Sequence, residues 1–280
     1  MTKPRLAGVL GAHIARSKSP LIHNTWLKRH AIEGLYVPLQ VSDSSFAAAV
    51  AFGRETGFLG FNVTTPHKVA AYELAESRTE IAERCGSVNT LWWEGDTLCG
   101  DSTDGFGFLA NLLERSPLTT ASGARVVLLG AGGASLAVAA ALLDADVAEL
   151  RVFNRTIEKA AALAALAPDR ASAHAWPPGP ADLERATLLV NGTTLGMADQ
   201  PPLELEWPTL SPDVVATDMI YVPLETPFLR AAAAAGATTV DGLGMLLHQA
   251  RPGFERWFGE RPVVDEQLRR AVLETPGYLP

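Results

Sequence analysis

Apolar positions in this chain fall into two rhythms, short continuous runs and stretches with helical spacing, and the two alternate along most of its length. The clearest run, Arg125 to Leu129, is nearly continuous, as in a parallel strand buried on both faces, and enters a turn carrying Gly130, Gly132 and Gly133. The Ala- and Leu-rich stretch Ala134 to Leu143 predicts a helix, and Glu149 to Phe153 a second strand that closes a βαβ unit. Further on, Leu188 to Asn191, Val214 to Asp218 and Thr238 to Val240 predict three more strands, with Thr226-Pro227 opening an Ala-rich helix to Ala235. In the first half, strands are expected at Leu6 to Leu10, Leu35 to Val41 and Phe58 to Val63, with a helix from Asp43 to Arg54. Ser19-Pro20 looks like a helix start, the hydroxyl capping, followed by Leu21, Ile22, Trp26 and Leu27 as a buried stripe. Helical segments to Arg84 lead to a hairpin, Leu91 to Glu94 and Thr97 to Gly100, turning at Gly95-Asp96. A helix from Phe106 to Leu113 and the linker Ser116 to Gly123 then join a first domain to a second. From Leu243 to Phe258 the apolar spacing is helical, though Pro252 removes a donor and is expected to kink or break it; a last helix, Val263 to Leu273, is expected to pack back on the first domain.

The βαβ context gives the glycines a mechanism. Without a Cβ in the way a pyrophosphate can approach the backbone, and the helix behind offers unpaired N–H groups and a positive dipole end, so a dinucleotide fits. The alternative is a tight turn without ligand, and the last position of the G-x-G-x-x-G pattern is Ser135. At the end of the second strand, where an NAD site usually places an acid for the ribose 2′-hydroxyl, the chain reads Asn154-Arg155-Thr156 with Lys159 one turn on. A carboxylate would repel a 2′-phosphate, whereas Arg155 can fork onto it and Lys159 can add a point charge, so NADP is favoured over NAD. A solvated arginine at a strand end is the bland alternative.

Three places in the first half carry candidate chemistry. Ser17 and Ser19 lie at a predicted helix N-terminus and could bind a small carboxylate, or simply cap. Thr65-Pro66 repeats the cap-then-Pro device and places Lys68 in the first turn of the next helix, where the dipole disfavours a cation by roughly 0.3 to 1 kcal/mol. Helix stability gives no reason for a lysine there, but proton exchange with a substrate does, a snorkelling surface lysine being the alternative. Asp101 and Asp104 bracket small polar residues before Gly105, a pattern often no more than a turn. In the second half the loop Gly192 to Met197 leaves the carboxyl end of a strand, the edge at which open α/β sheets bind ligands.

Composition narrows the partners. The net charge is −8, with Lys and Arg scattered singly, so nothing resembles the basic footprint of a nucleic-acid or anionic-membrane binder. Cys85 and Cys99 are too few for a disulfide framework or a zinc site, and no metal is expected. The opening MTKPRLAGVLGAH has no secretion pattern, and the glycines near the start of the apolar stretch Val126 to Leu143 argue against a membrane span, so a cytoplasmic protein is expected.

Taken together the motifs resemble those of the shikimate dehydrogenase family across nearly the whole chain. They are S-x-S-P at Ser17 to Pro20, NVTxPxK at Asn62 to Lys68, VNT at Val88 to Thr90, a variant of NTDG at Ser102 to Gly105, GAGGA at Gly130 to Ala134 and NRT at Asn154 to Thr156. N-x-T-x-x-G-M at Asn191 to Met197 and GLGM at Gly242 to Met245, with Gln249, complete the set. The resemblance implies an α/β protein of two domains, an N-terminal substrate domain built from residues 1–105 and 242–280 and a Rossmann-type, doubly wound NADP-binding domain of residues 106–241. It implies reversible, NADP-linked reduction of 3-dehydroshikimate to shikimate by a monomer or homodimer. By matching positions, Lys68 and Asp104 look like the catalytic pair, and Ser17, Ser19, Thr64, Asn89, Tyr221 and Gln249 like substrate contacts. Gly130, Ala131, Gly132, Gly133, Ala134, Asn154, Arg155, Thr156, Lys159, Thr193, Met219 and Gly242 look like the cofactor site. The chain departs from the family's usual residues at Ser102, Leu136, Lys159, His248 and Arg251-Pro252. A relative acting on quinate, or a dinucleotide-binding sensor that has lost the chemistry, are the competing readings.

Overall fold

The computed structural model describes residues 5–15 and 17–275; residues 1–4, 16 and 276–280 lie outside the described residues. Packing divides the chain into two units, Met1–Thr103 with Gln249–Pro280, and Asp104–His248. The borders expected from the sequence, 105/106 and 241/242, lie two and seven residues from these.

The first unit begins with β1 (Arg5–Gly11), α1 (Ser19–Arg29), β2 (Gly34–Gln40), a 3₁₀ turn (Asp43–Ser45) leading into α2 (Phe46–Glu55), and β3 (Phe58–Val63). It continues through α3 (Lys68–Leu74), β4 (Ser77–Arg78), α4 (Glu80–Cys85) and the hairpin β5 (Thr90–Glu94) and β6 (Thr97–Asp101). The strands form one mixed sheet in the order β2-β1-β3-β5-β6-β4. β1 runs parallel to both neighbours, whereas β3, β5 and β6 are successively antiparallel. Leu10, Phe61, Val63 and Leu91 fill the core on one side of that sheet.

The second unit opens with α5 (Asp104–Arg115), longer than the predicted helix and including Asp104 as its first residue. Then come β7 (Arg125–Leu129), α6 (Gly133–Asp144), β8 (Glu149–Asn154), α7 (Ile157–Ala164), β9 (Ala171–Ala175), α8 (Pro180–Glu184), β10 (Leu188–Asn191), β11 (Val215–Asp218), α9 (Pro227–Ala235) and β12 (Thr238–Val240), and the start of α10 (Leu243–Phe258), whose residues from Gln249 on belong to the first unit. Every strand pair in this sheet is parallel and the order is β12-β11-β10-β7-β8-β9. Counted within the unit this is 6-5-4-1-2-3, the doubly wound Rossmann arrangement, whose order reverses between β7 and β10. The unbroken apolar runs are explained by it: Val126 and Leu128 enter the core on one face, Val127 and Leu129 the core on the other.

Two expectations fail here. β9, reading ASAHA, has no β-branched residue and carries no strand signal of its own; it is an edge strand held by pairing along Leu150 to Asn154. Pro252 does not break α10, which runs continuously from Leu243 to Phe258. The proline removes one backbone bond, but Ala250, Phe254, Trp257 and Phe258 are all buried, and that packing outweighs the loss. The final helix, α11 (Glu266–Glu274), starts at an Asp265 cap that accepts from Leu268 N–H at 2.8 Å and receives the Arg29 guanidinium at 3.0 and 3.2 Å. It therefore packs against α1, within the first unit.

Candidate functional site

In the first unit the candidate residues are joined by a relay of neutral polar groups. Tyr36 is fully buried and donates its hydroxyl proton to Asn62 Oδ1 at 2.7 Å, with the Ser19 hydroxyl as its other partner. Burial raises the Tyr36 phenol well above its usual range, more than the Ser19 hydrogen bond lowers it, so it remains a donor. Asn62 Nδ2 donates to Asn89 O at 3.2 Å. The Asn89 side-chain oxygen accepts from Thr103 N–H at 2.9 Å, and Thr103 Oγ1 donates to Gln249 O at 2.8 Å. Ser19, Asn89 and Gln249, far apart in sequence, are thus tied to one framework. Thr64 donates its N–H to Leu10 O at 2.9 Å beside it, and Lys68 accepts at its carbonyl from Val88 N–H at 2.9 Å. Asp101, two residues before Thr103, is occupied elsewhere, accepting from Thr79 at 2.6 Å and pairing with Arg256 at 3.1 Å.

Two predicted caps are corrected by this geometry. Ser19 is not the cap of α1: Ile22 N–H bonds to Lys18 O at 3.1 Å, which closes the first turn one residue earlier and makes Lys18 the N-cap. Ser17 Oγ instead accepts from Ser19 N–H at 3.3 Å, so both hydroxyls stay at the helix start. Thr65 does not cap α3, because residues Thr64 to His67 form a turn closed by His67 N–H on Thr64 O at 3.0 Å, with a cis Thr65–Pro66 bond. The N-cap is His67, and Lys68 begins the helix, in the first turn as expected.

The second unit holds a cleft of about 370 Å³ at the carboxyl edge of its sheet, beside the point where strand order reverses. One wall is the glycine turn Gly130, Ala131 and Gly132; another is Asn154, Arg155, Thr156 and Lys159; a third is Gly192 to Leu195. Gly130 has φ +92°, and a Cβ there would lie 2.8 Å from Thr193 Cγ2, so only glycine lets the two loops meet. A Cβ at Gly132 or Gly133 would meet nothing within 4 Å, leaving an open cradle at the start of α6, whose Gly132 N-cap provides no side-chain cap. The orphan N–H groups of that helix therefore face space suited to a pyrophosphate. Asn154 Oδ1 accepts from Ala131 N–H at 3.2 Å and pins the turn to β8. Arg155 and Lys159 are exposed and, among the described residues, unpaired with any carboxylate, which suits a second phosphate. The substitution of Ser135 at the third glycine position is structural: its hydroxyl, fully buried, donates to Gly192 O at 3.2 Å and joins the two loops.

The loop after β10 is anchored by Asn191 of its motif and by the buried Asp218. Asn191 Oδ1 accepts from Thr193 N–H at 3.0 Å and Thr193 Oγ1 at 2.7 Å, while its Nδ2 donates to Asp218 Oδ2 at 3.1 Å. Asp218 also accepts from Thr226 Oγ1 at 2.6 Å and Ile220 N–H at 2.9 Å, and its burial raises the carboxyl pKa against the pull of those bonds. Gly133 and Ala134 form the first turn of α6, whereas Met219 and Gly242 do not line the cleft. Gly242 is instead required by crowding, since a Cβ would sit 2.5 Å from Ile220 O. Tyr221, also in this unit, is largely buried, which raises its phenol. Asp104 is buried at the start of α5. Tyr36 and Thr103 in the first unit, and Asp218 and Trp176 in the second, were not singled out beforehand; they are isolated polar or aromatic residues in predicted elements or loops, and only the folding of each unit brings them beside its candidate residues. Among the described residues no group of His, Cys, Asp and Glu could hold a metal ion.

Comparison with known proteins agrees along the chain. Residues 9–91 match the shikimate dehydrogenase substrate binding domain, residues 113–193 the shikimate / quinate 5-dehydrogenase family and residues 242–273 the shikimate 5′-dehydrogenase C-terminal domain. A shikimate dehydrogenase (NADP(+)) of Rhodospirillum rubrum is 49% identical over 279 residues, covering 98% of this chain and 99% of that protein. The shikimate 5-dehydrogenase of Thermus thermophilus in complex with NADP(H) and shikimate superimposes with a TM-score of 0.84 at 34% identity, covering 96% of this chain and 98% of that one. A quinate dehydrogenase of Corynebacterium glutamicum in complex with NAD gives a TM-score of 0.88 at 29% identity, covering 98% of this chain and 100% of that one.

Proposed function

The chain belongs to the shikimate dehydrogenase family, and from that premise we propose that Lys68 and Asp104 perform the proton chemistry of its reaction. The reaction is the reversible, NADP-linked reduction of 3-dehydroshikimate to shikimate, in the biosynthesis of aromatic amino acids. The observation that carries the cofactor side is the cleft in which the open glycine cradle shares its walls with Arg155 and Lys159. The orphan N–H groups at Gly132 to Ser135 would hold the pyrophosphate, and Arg155 with Lys159 the 2′-phosphate. When bound, the cofactor supplies or accepts the hydride.

The remaining work falls to side chains. Ketone reduction places negative charge on the substrate oxygen, which needs a donor, and alcohol oxidation needs the same group to take a proton back. Lys68 fills that role, standing as the first residue of α3, just past the junction from β3, where helix stability gives no reason for a cation. Asp104 orients the substrate hydroxyl. Ser17 and Ser19 hold the substrate carboxylate by hydrogen bonds from their neutral hydroxyls, and Thr64, Asn89, Tyr221 and Gln249 supply further contacts. Both cysteines are buried and neither is in a disulfide, which suits a reducing cytoplasm, and no described helix is long and apolar enough to cross a membrane.

Lys68→Ala is the test. The variant is expected to keep its circular dichroism and substrate affinity while turnover falls by about 10² to 10⁴, the usual scale for loss of a general acid. Near-normal turnover at saturating shikimate and NADP would remove the lysine from the mechanism. The same assay run with quinate and NAD separates the shikimate enzyme from a quinate enzyme, the former being expected to prefer shikimate with NADP.

A further inference from the structure

We propose that Trp176 forms the wall against which the adenine ring of the cofactor stacks, so that this chain grips the adenosine end of NADP by an aromatic face as well as by charge. The inference rests on the NADP reading above and adds a residue to it.

Trp176 is the first residue beyond β9, at the carboxyl edge of the parallel sheet. It is half-buried, with part of its surface packed against the core that contains Leu129, Phe153 and Leu183. The rest lines the cleft together with Arg155, Lys159 and Thr194, and it is the one aromatic side chain among the cleft's lining residues. Position along the cofactor follows from chemistry. The 2′-phosphate and the adenine are carried by the same ribose, so a phosphate held by Arg155 and Lys159 brings the base to that end of the cleft, one sugar ring away. The glycine turn Gly130 to Gly132 marks the pyrophosphate, further toward the nicotinamide. An aromatic residue at the arginine end is therefore placed for the base and not for the reacting ring.

The physical reason for an indole is that packing alone would be met by a smaller aliphatic residue. Leaving part of the largest apolar side chain on the wall of a polar cleft costs solvation, and a flat base recovers it, because every base offers a π face to an aromatic ring. Such stacking is worth roughly 5- to 150-fold in affinity when the aromatic residue is replaced by alanine.

Calorimetric titration of the full chain with NADP+, with 2′,5′-ADP as the adenosine half and with nicotinamide mononucleotide as the other half, tests this. Trp176→Ala is expected to weaken NADP+ and 2′,5′-ADP alike by about ten-fold or more, in the range of that stacking, and to leave the mononucleotide unchanged. Trp176→Phe, which keeps an aromatic face, is expected to recover most of the loss. Indole emission adds a reading that does not depend on the alanine variant folding: 2′,5′-ADP should quench the wild-type protein, and the quench should vanish in Trp176→Phe although the ligand still binds. Wild-type affinity for 2′,5′-ADP in Trp176→Ala, or an undiminished quench in Trp176→Phe, overturns the assignment while the cofactor reading stands. A wild-type protein that binds neither NADP+ nor 2′,5′-ADP overturns the cofactor reading itself.

Discussion

Replacing His23 by phenylalanine should make the first unit less sensitive to acid, by an amount that its surroundings fix. The imidazole is fully buried, stacked on Tyr36 with ring centroids 4.0 Å apart and hemmed in by Trp26, Phe254 and Trp257. Asn62 lies close enough to favour the charged ring slightly, but neither ring nitrogen reaches hydrogen-bond geometry, and burial lowers the pKa to about 3. The unfolded ring takes up its proton near pH 6.5, as a free histidine does. Between those two values the unfolded chain binds more protons than the folded one, so stability is lost as pH falls through 6.5 and goes on being lost toward 3. At 1.36 kcal/mol per unit, the loss from this one group between pH 7 and pH 5 comes to about 2 kcal/mol. Phenylalanine keeps a ring of similar outline and titrates nowhere. Urea unfolding of both proteins at pH 7 and pH 5, followed through the emission of the adjacent Trp26 and Trp257, should show the wild type losing about 2 kcal/mol more than His23→Phe, carboxylate titration being common to both. Parallel losses in the two proteins would refute the claim that the ring stays neutral in the fold.

The cofactor and carboxylate assignments make their own demands. Arg155→Ala should weaken NADP far more than NAD, by about 1.5 to 3 kcal/mol for a charge-assisted bond, and equal weakening in a binding titration would move the 2′-phosphate elsewhere. Ser17→Ala and Ser19→Ala should chiefly raise KM for shikimate and leave NADP affinity intact, since their bonds persist from ground state to transition state. Loss of NADP binding in either variant, measured by calorimetry, would count them as structural.

Much of the second unit was legible because its strands are buried on both faces and so announce themselves as apolar runs: β7, β10 and β12 have the predicted bounds. β9 was not, because an Ala-rich edge strand is held by its partner and not by its own propensity. Caps were legible where a side chain does the capping, as at Thr226, which accepts from Leu229 N–H at 3.2 Å. They were misread at Ser19 and Thr65, where backbone bonds to Lys18 and Thr64 decide the turn first. The glycine turn and Arg155 could be placed because their context is local. The relay through Tyr36, Asn62 and Thr103 could not, because each of its bonds joins residues that only the fold brings together.

The links traced along that relay are all between neutral groups. From Ser19 through Tyr36, Asn62, Asn89 and Thr103 to the Gln249 carbonyl, every link is a hydroxyl, an amide or a phenol. Dissolved salt acts on exposed charges, which it screens beyond about 8 Å at physiological ionic strength, and has little purchase on hydrogen bonds between buried neutral groups. Arg155 and Lys159 stand in the opposite condition, exposed charges on the wall of the cleft proposed for the nucleotide. When a cell concentrates its electrolytes under osmotic stress, capture of the nucleotide weakens first, while the frame that orients the substrate keeps its shape.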